Sequence, residues 1–382
     1  MTGYDYIFAG TGLAGLMVLH EMNKSGVLSG KSVLLLDPEE KDKNDRTWCF
    51  WENGAGEWDS VVAKQWFSGF FVNRELRKEC FGSGMSYKMI ESQSFYNRIF
   101  DELKSFPDIV WKQERLLSFV ESDLEVIITT DVNTYSGSVF FNSVLDAETL
   151  RNKKKYPLLL QHFQGWFVKT SVPFFNHDSA TFMDFSVPQN GNTRFMYVLP
   201  ISDTEALVEY TLFSADVLAD AEYENAIAVY LKEKGIADYE IVRKEKGVIP
   251  MTTYPFWKGN SKRILHIGSA GGWTKASTGY TFKNSVKQSK RVAAYLKSNP
   301  VDFTHFYKPN RFTFYDSLFV DVLYGENQLG CKLFSGMFTK VQPKLVFDFL
   351  DEKTSWKEEM KVIWSCPKLP FLKVLLFRLF RF

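Results

Sequence analysis

Three glycines, Gly10, Gly12 and Gly15, constrain this chain more than any other feature. They follow a short apolar run, residues 4–9, and open a helical pattern from Leu13 to about Asn23. A second apolar run, residues 32–36, ends at Asp37. Strand, glycine turn, helix, strand and terminal acid make a βαβ unit of the dinucleotide-binding kind. Each part has a mechanical reason. Gly10 permits the tight turn, Gly12 lets the backbone approach a pyrophosphate, and Gly15 lets helix and strand pack closely. The helix start offers unpaired N–H groups and partial positive charge to phosphates. Asp37 can accept hydrogen bonds from a ribose.

A strand pattern recurs at residues 263–268, followed by a Gly/Ser/Thr-rich turn and a helix from about Thr281 to Leu296. An early glycine loop closed by a late segment favours FAD over NAD. No second GxGxxG occurs, so no separate NAD(P)H domain is expected and a reductant would visit the flavin directly.

Between these segments the pattern changes. Residues 44–51 read as a polar, aromatic-rich loop, 92–106 as a helix, and 124–130 and 138–145 as strands. Lys153-Lys154-Lys155 reads as a solvated loop. From 157 to 255, β-branched and aromatic residues alternate in part, which predicts strands. A turn is expected at Ser202-Asp203-Thr204 and a helix over 220–234; the rest, from 300, is mostly helical. No linker composition separates these parts, so the domains are interleaved. The expected fold is α/β. A Rossmann-like FAD-binding domain (1–155, returning at 256–300) is interrupted by a β-rich substrate domain (156–255) and followed by a helical C-terminal region (301–382).

Composition narrows the function. The formal net charge is +1 over 382 residues, which excludes a globally basic nucleic-acid binder. Aromatic residues reach 16%, which points to a large core, a greasy binding cavity, a membrane-facing surface or a mix of these. The four cysteines have no CxxC spacing, and the five histidines show no metal-binding spacing. No signal peptide or transmembrane helix is expected, and no GxSxG or HExxH motif is present.

The order and spacing of GTGLAG with Asp37, NDRTWCFW, FMDFSVPQ, RFMYVLPIS, EALVEYT and IGSAGGWTKASTGYTF resemble the bacterial lycopene β-cyclase family. The resemblance covers roughly residues 4 to 300. It implies a flavoprotein fold of the glutathione-reductase/hydroxylase kind. It also implies cyclisation of the ψ-ends of lycopene, through γ-carotene to β-carotene, in carotenoid biosynthesis. The family's reaction uses reduced FAD, with NADPH as reductant, and makes no net redox change.

On this resemblance Gly10, Gly12, Gly15 and Asp37 match the nucleotide-binding positions, and Arg46 lies in the matching aromatic loop. Gly268, Ser269, Ala270, Gly271, Thr278, Gly279 and Tyr280 match the late flavin segment. Ser269 stands where many flavoproteins of this fold carry an aspartate. Glu209 matches the family's catalytic acidic position, where relatives show an acidic pair; here Tyr210 follows it.

Ring closure needs an acid in a dry pocket, stabilisation of a carbocation, and a base. On a strand, Glu209 shares a face with Leu207, Thr211 and Phe213, so burial would keep it protonated at neutral pH. Asp184 is a second candidate carboxylate. Trp48, Phe50, Trp51 and Tyr197 are candidates for lining the substrate cavity through cation–π contact. The rival readings are an FAD-dependent monooxygenase of a lipid or polyene and a non-catalytic pigment-binding protein.

The last twelve residues (FLKVLLFRLFRF) form a basic amphipathic segment. On a helix, Phe371, Leu372, Leu375, Leu376, Leu379, Phe380 and Phe382 cover about half the circumference, opposite Lys373, Arg378 and Arg381. At about 18 Å it is too short to span a bilayer, so the expectation is a peripheral anchor on the cytoplasmic side of a membrane, the alternative being a C-terminal helix docked on the body. Oligomeric state is not fixed by the sequence.

Overall fold

The computed structural model describes residues 3–82, 84–146, 150, 156–298 and 301–380. The Lys153-Lys154-Lys155 run, Arg381 and Phe382 lie outside these. Over the described residues the chain is an α/β protein built on two large sheets and one small one.

The first sheet runs β8 (Ile109–Lys112), β2 (Val33–Leu36), β1 (Gly3–Ala9), β11 (Thr134–Asn142), β10 (Val126–Thr130), β9 (Leu116–Glu121). The late strand β17 (Ile264–His266) adds in parallel to β11. Helix α1 (Leu13–Lys24) connects β1 to its parallel neighbour β2, as the glycine pattern requires. Phe8, Val33, Leu35 and Phe141 point from one face into a core shared with α1, α2 (Ser92–Leu103) and α4 (Phe282–Ser298). Burial on both faces explains why β1 and β2 read as continuous apolar runs.

The second sheet runs β16 (Tyr239–Thr252), β12 (Leu158–Thr170), β15 (Glu205–Ser214), β14 (Thr193–Pro200), β13 (Ser179–Asp184), β5 (Ser68–Val72), β6 (Arg77–Glu79). The expected turn at Ser202–Thr204 joins antiparallel β14 and β15. Two strands come from before the expected boundary: β5 pairs in parallel with β13, and β6 pairs antiparallel with β5. One face packs on α3 (Asp220–Glu233) through Val208, Tyr210 and Leu212. The other carries Leu207 and Phe213 towards the C-terminal helices.

The 44–51 segment is not a loop throughout. Its second half is β3 (Thr47–Asn53), paired with β7 (Met85–Glu91), and β7 also pairs with β4 (Val62–Trp66). Aromatic density there reflects a buried sheet, not an exposed loop. The C-terminal region folds into α5 (Arg311–Gly325), α6 (Gly330–Lys340), α7 (Pro343–Leu350), α8 (Trp356–Ser365) and α9 (Lys368–Phe380). No described helix is long and apolar enough to cross a membrane.

Candidate active site

A cavity of about 500 Å³ runs from the glycine loop to the face of the second sheet. Gly12, Leu13 and Ala14 line one end, and Glu209, Glu245 and Tyr197 line the other.

At the glycine end the backbone does the shaping. Gly10 has φ +87°, and a Cβ there would sit 2.1 Å from Ser143 Oγ. A Cβ on Gly15 would sit 2.3 Å from the Gly10 carbonyl oxygen, so the helix could not approach its strand so closely. Gly12 caps α1 without any side-chain bond, and nothing lies within 4 Å of where its Cβ would be. The free N–H groups of the first turn therefore face open space, a cradle suited to a pyrophosphate. Arg46, Gly268, Ser269, Thr278, Gly279 and Tyr280 line the same cavity. Ala270 and Gly271 are buried behind it in the short turn that follows β17. Gln161 Oε1 and Thr278 Oγ1 are buried in the wall with no partner, as expected where a polar ligand completes the set.

Asp37 is engaged differently from the expectation of a free ribose acceptor. Its Oδ2 accepts from the Thr11 backbone N–H (2.7 Å) and the Thr11 hydroxyl (2.9 Å). Its Oδ1 accepts from the Glu39 N–H at 3.0 Å and faces Lys41 Nζ at 3.3 Å. The carboxylate thus ties the glycine loop to the end of β2.

At the other end the sheet register places the chemistry. Tyr197 of β14 lies opposite Glu209 of β15, Glu209 opposite Gly165 of β12, and Gly165 opposite Glu245 of β16. Directly opposed residues of antiparallel strands share a face. Glu209 and Glu245 therefore reach towards each other over a position without a side chain. A Cβ on Gly165 would come within 3.2 Å of Glu245 Cγ and 3.4 Å of Glu209 Cβ. The Thr211 hydroxyl donates to Glu209 Oε1 at 2.5 Å, and the Thr47 hydroxyl to Glu245 Oε2 at 2.7 Å. Burial, then the Glu245 charge, pushes the Glu209 carboxyl up to about 8. Burial also raises Glu245, against the pull of Thr47 and Arg243.

Tyr210 points the other way, where its hydroxyl accepts from Arg194 Nη1 at 3.1 Å. Neighbours on a strand face opposite sides, so the second acid at this site comes from another strand. Glu245 was not among the candidates; it lies in the charged run RKEK, where nothing in the local sequence marks it as buried. Only its register with Gly165 exposes it.

The aromatic candidates divide. Trp48 and Tyr197 line the cavity. Tyr197 donates to Tyr87 (2.5 Å), and Tyr87 contacts the Tyr280 hydroxyl at 3.2 Å. Phe50 and Trp51 do not line it. Phe50 stacks on Phe282 at 4.5 Å in the first core, and Trp51 packs behind Tyr280 against Phe347.

Asp184 is also placed elsewhere. It is 1% exposed and faces α3, accepting from the Tyr230 hydroxyl at 2.9 Å and from Lys234 at 3.2 Å. Burial works to raise it, but Ser186, Lys234 and Tyr230 together hold it below the usual carboxylate range. It joins α3 to the sheet. Its neighbours Phe182 and Met183 reach the cavity instead.

A family model described as lycopene cyclase protein matches residues 5–376. The chain belongs to the lycopene cyclase family. Among curated relatives of this cyclase-family chain, lycopene beta-cyclase from Pantoea ananas is 24% identical over 302 residues, spanning 76% of this chain and 74% of that protein. Lycopene beta-cyclase from Paracoccus sp. is 23% identical over 304 residues, with 76% and 73% covered. Solved structures share the fold. A geranylgeranyl bacteriochlorophyll reductase-like protein from Thermoplasma acidophilum superposes with TM-score 0.59 at 13% identity, over 98% of this chain and 99% of that one. A halogenase solved in complex with FAD gives TM-score 0.59 at 12% identity, over 96% and 87%. The fold is thus that of Rossmann-type flavoproteins.

Proposed function

We propose that this chain is a lycopene β-cyclase, an isomerase that closes the ψ-ends of lycopene into β-rings. The observation that carries this reading is Glu209, a buried carboxyl raised to about 8, standing in an aromatic cavity that continues to an open glycine cradle. An acid that stays protonated at neutral pH in a dry pocket can protonate an alkene. Phe163, Phe182, Phe195, Phe213 and Phe334 line the cavity and suit a polyene end. The residues present also fit FAD. The α1 start and glycine loop would hold its pyrophosphate, while Gln161 and Thr278 offer unpaired polar atoms. Reduced FAD, supplied with electrons by NADPH, would contribute negative charge beside the cation without exchanging electrons with the substrate.

The enzyme would work as a peripheral protein on the cytoplasmic side of a membrane. Helix α9 docks on the body through Phe371 and Val374 and turns Leu369, Leu372, Leu376 and Leu379 outward. Trp356, Met360, Ile363 and Trp364 of α8 are exposed as well. The cations are placed differently from expectation. Lys373 faces Glu326 at 3.5 Å and Arg378 faces Asp321 at 2.5 Å, so insertion of apolar side chains, more than headgroup attraction, would hold the protein to lipid.

The deciding experiment is anaerobic incubation with FAD, NADPH and lycopene in liposomes made in heavy water. The expected product is isomeric with lycopene, carries deuterium and contains no oxygen. Lycopene that is unchanged without air, and oxygenated once air is admitted, would make the chain a monooxygenase.

A further inference from the structure

Glu209 and Glu245 meet in a setting that leaves them little choice but to share. Resting on the cyclase reading above, we infer that the two carboxyls hold one proton between them across Gly165, and that the pair both delivers the proton that starts ring closure and removes the one that ends it. Glu209 is the catalytic acid in this scheme, and Glu245 acts through it as a positioning residue.

The surroundings argue for a single shared proton. Thr211 and Thr47 each occupy one oxygen of one carboxyl, which leaves an oxygen on each for the other. Two buried carboxylates in contact repel, so one proton is retained well above the ordinary range. The other titratable or charged groups facing the pair do not relieve this. Arg243 of β16 is bound to Glu91 of β7 at 2.6 Å. Cys49 of β3, Tyr87 of β7, Tyr197 of β14 and Tyr280 of the late loop are all neutral, each held above its usual range first by burial. Tyr197, although opposite Glu209, gives its proton to Tyr87.

The reaction balances on this pair. At rest it carries one proton and one negative charge. The Glu209 O–H bond breaks as a C–H bond forms at the terminal alkene, leaving a tertiary cation beside two carboxylates. The neighbouring double bond attacks, forms the ring C–C bond and moves the cation into the ring. A ring C–H bond then breaks, its electron pair becomes the new C=C, and the proton returns to the pair. No electrons are gained or lost. The doubly charged pair stabilises the cation and is a strong enough base to finish the reaction.

The test uses the full-length, FAD-loaded protein with E245Q and E245D. Cyclisation is followed against pH, and the protonated-carboxyl infrared band is titrated in parallel, with E209Q identifying the Glu209 contribution. Wild type is expected to lose activity and the band as pH passes about 8. In E245Q both midpoints should fall by about one pH unit or more, because the like charge is gone; E245D should restore the wild-type midpoint in part. The KM for lycopene should stay within about 2-fold. Unmoved midpoints in E245Q would overturn the shared proton; should E245Q not fold, E209Q decides, since the remaining carboxyl band should titrate about one pH unit or more below the wild-type midpoint and an unmoved midpoint overturns the proposal. Should wild type return lycopene unchanged, the cyclase reading fails. The infrared midpoints then decide alone: a shift upholds the shared proton, and no shift overturns it.

Discussion

At the glycine end of the cavity, the groups facing a ligand are backbone N–H groups delivered by consecutive residues, Gly12 to Ala14. At the acid end they are side chains delivered by different strands, from Thr47 on β3 to Glu245 on β16. The first end depends on what side chains would obstruct, and the second on which side chains the register brings together. Damage should therefore differ in kind: steric at the glycine loop, protonic at the acid pair.

The largest expected separation comes from Glu209→Gln. It should keep FAD and lose cyclisation by about 10³-fold, within the usual range for removing a general acid. The same variant reports on stability. The folded pKa of Glu209 is raised, so its contribution is fully present below the unfolded value and is lost as pH rises through about 8. Melting of wild type should fall relative to Glu209→Gln between pH 5 and 9. Equal pH trends would remove the buried proton from the account.

Gly15→Val should do the reverse, losing FAD in a fluorescence titration and costing about 1–3 kcal/mol from overpacking against the Gly10 carbonyl. Retained FAD affinity would break the contrast. Asp184→Asn should lower stability by about 1–3 kcal/mol, from weakened bonds to Tyr230 and Lys234, with cyclisation changed less than 2-fold. A large activity loss would return Asp184 to the site. The smallest expected effect is that of truncation after Pro370, which should weaken co-sedimentation with liposomes and leave FAD binding intact. Unchanged co-sedimentation would reject α9 as an anchor.

The contrast also explains what was legible in the sequence. The βαβ unit is local, its pattern complete between Gly3 and Asp37, and the late segment at Gly268–Tyr280 has the same local character. Glu209 was legible through the family resemblance, and strand alternation then placed it with Leu207, Thr211 and Phe213. Glu245 was not, since its role exists only through pairing across β12 with a residue 36 positions earlier. Asp184 misled because β13 is covered on both faces, so apolar neighbours did not say which side it faces. Phe50 and Trp51 misled for a related reason. Aromatic residues in a three-stranded sheet wedged between two cores pack first and line cavities second.

The crossing of the chain between the two large sheets bears on how the protein is made. On the ribosome β1 appears first, but its partner β11 follows more than a hundred residues later, and β17 and α4 later still. Meanwhile β5 and β6 wait for β13. Neither half can be completed as it emerges, so the nascent chain carries unpaired strand edges until β17 has emerged. A fragment ending before Ile264 would lack an edge strand of the first sheet and the helix packed beside α1. The half that carries the glycine loop is thus not a separable module, and its assembly is expected to be cooperative with that of the half that carries the acid pair.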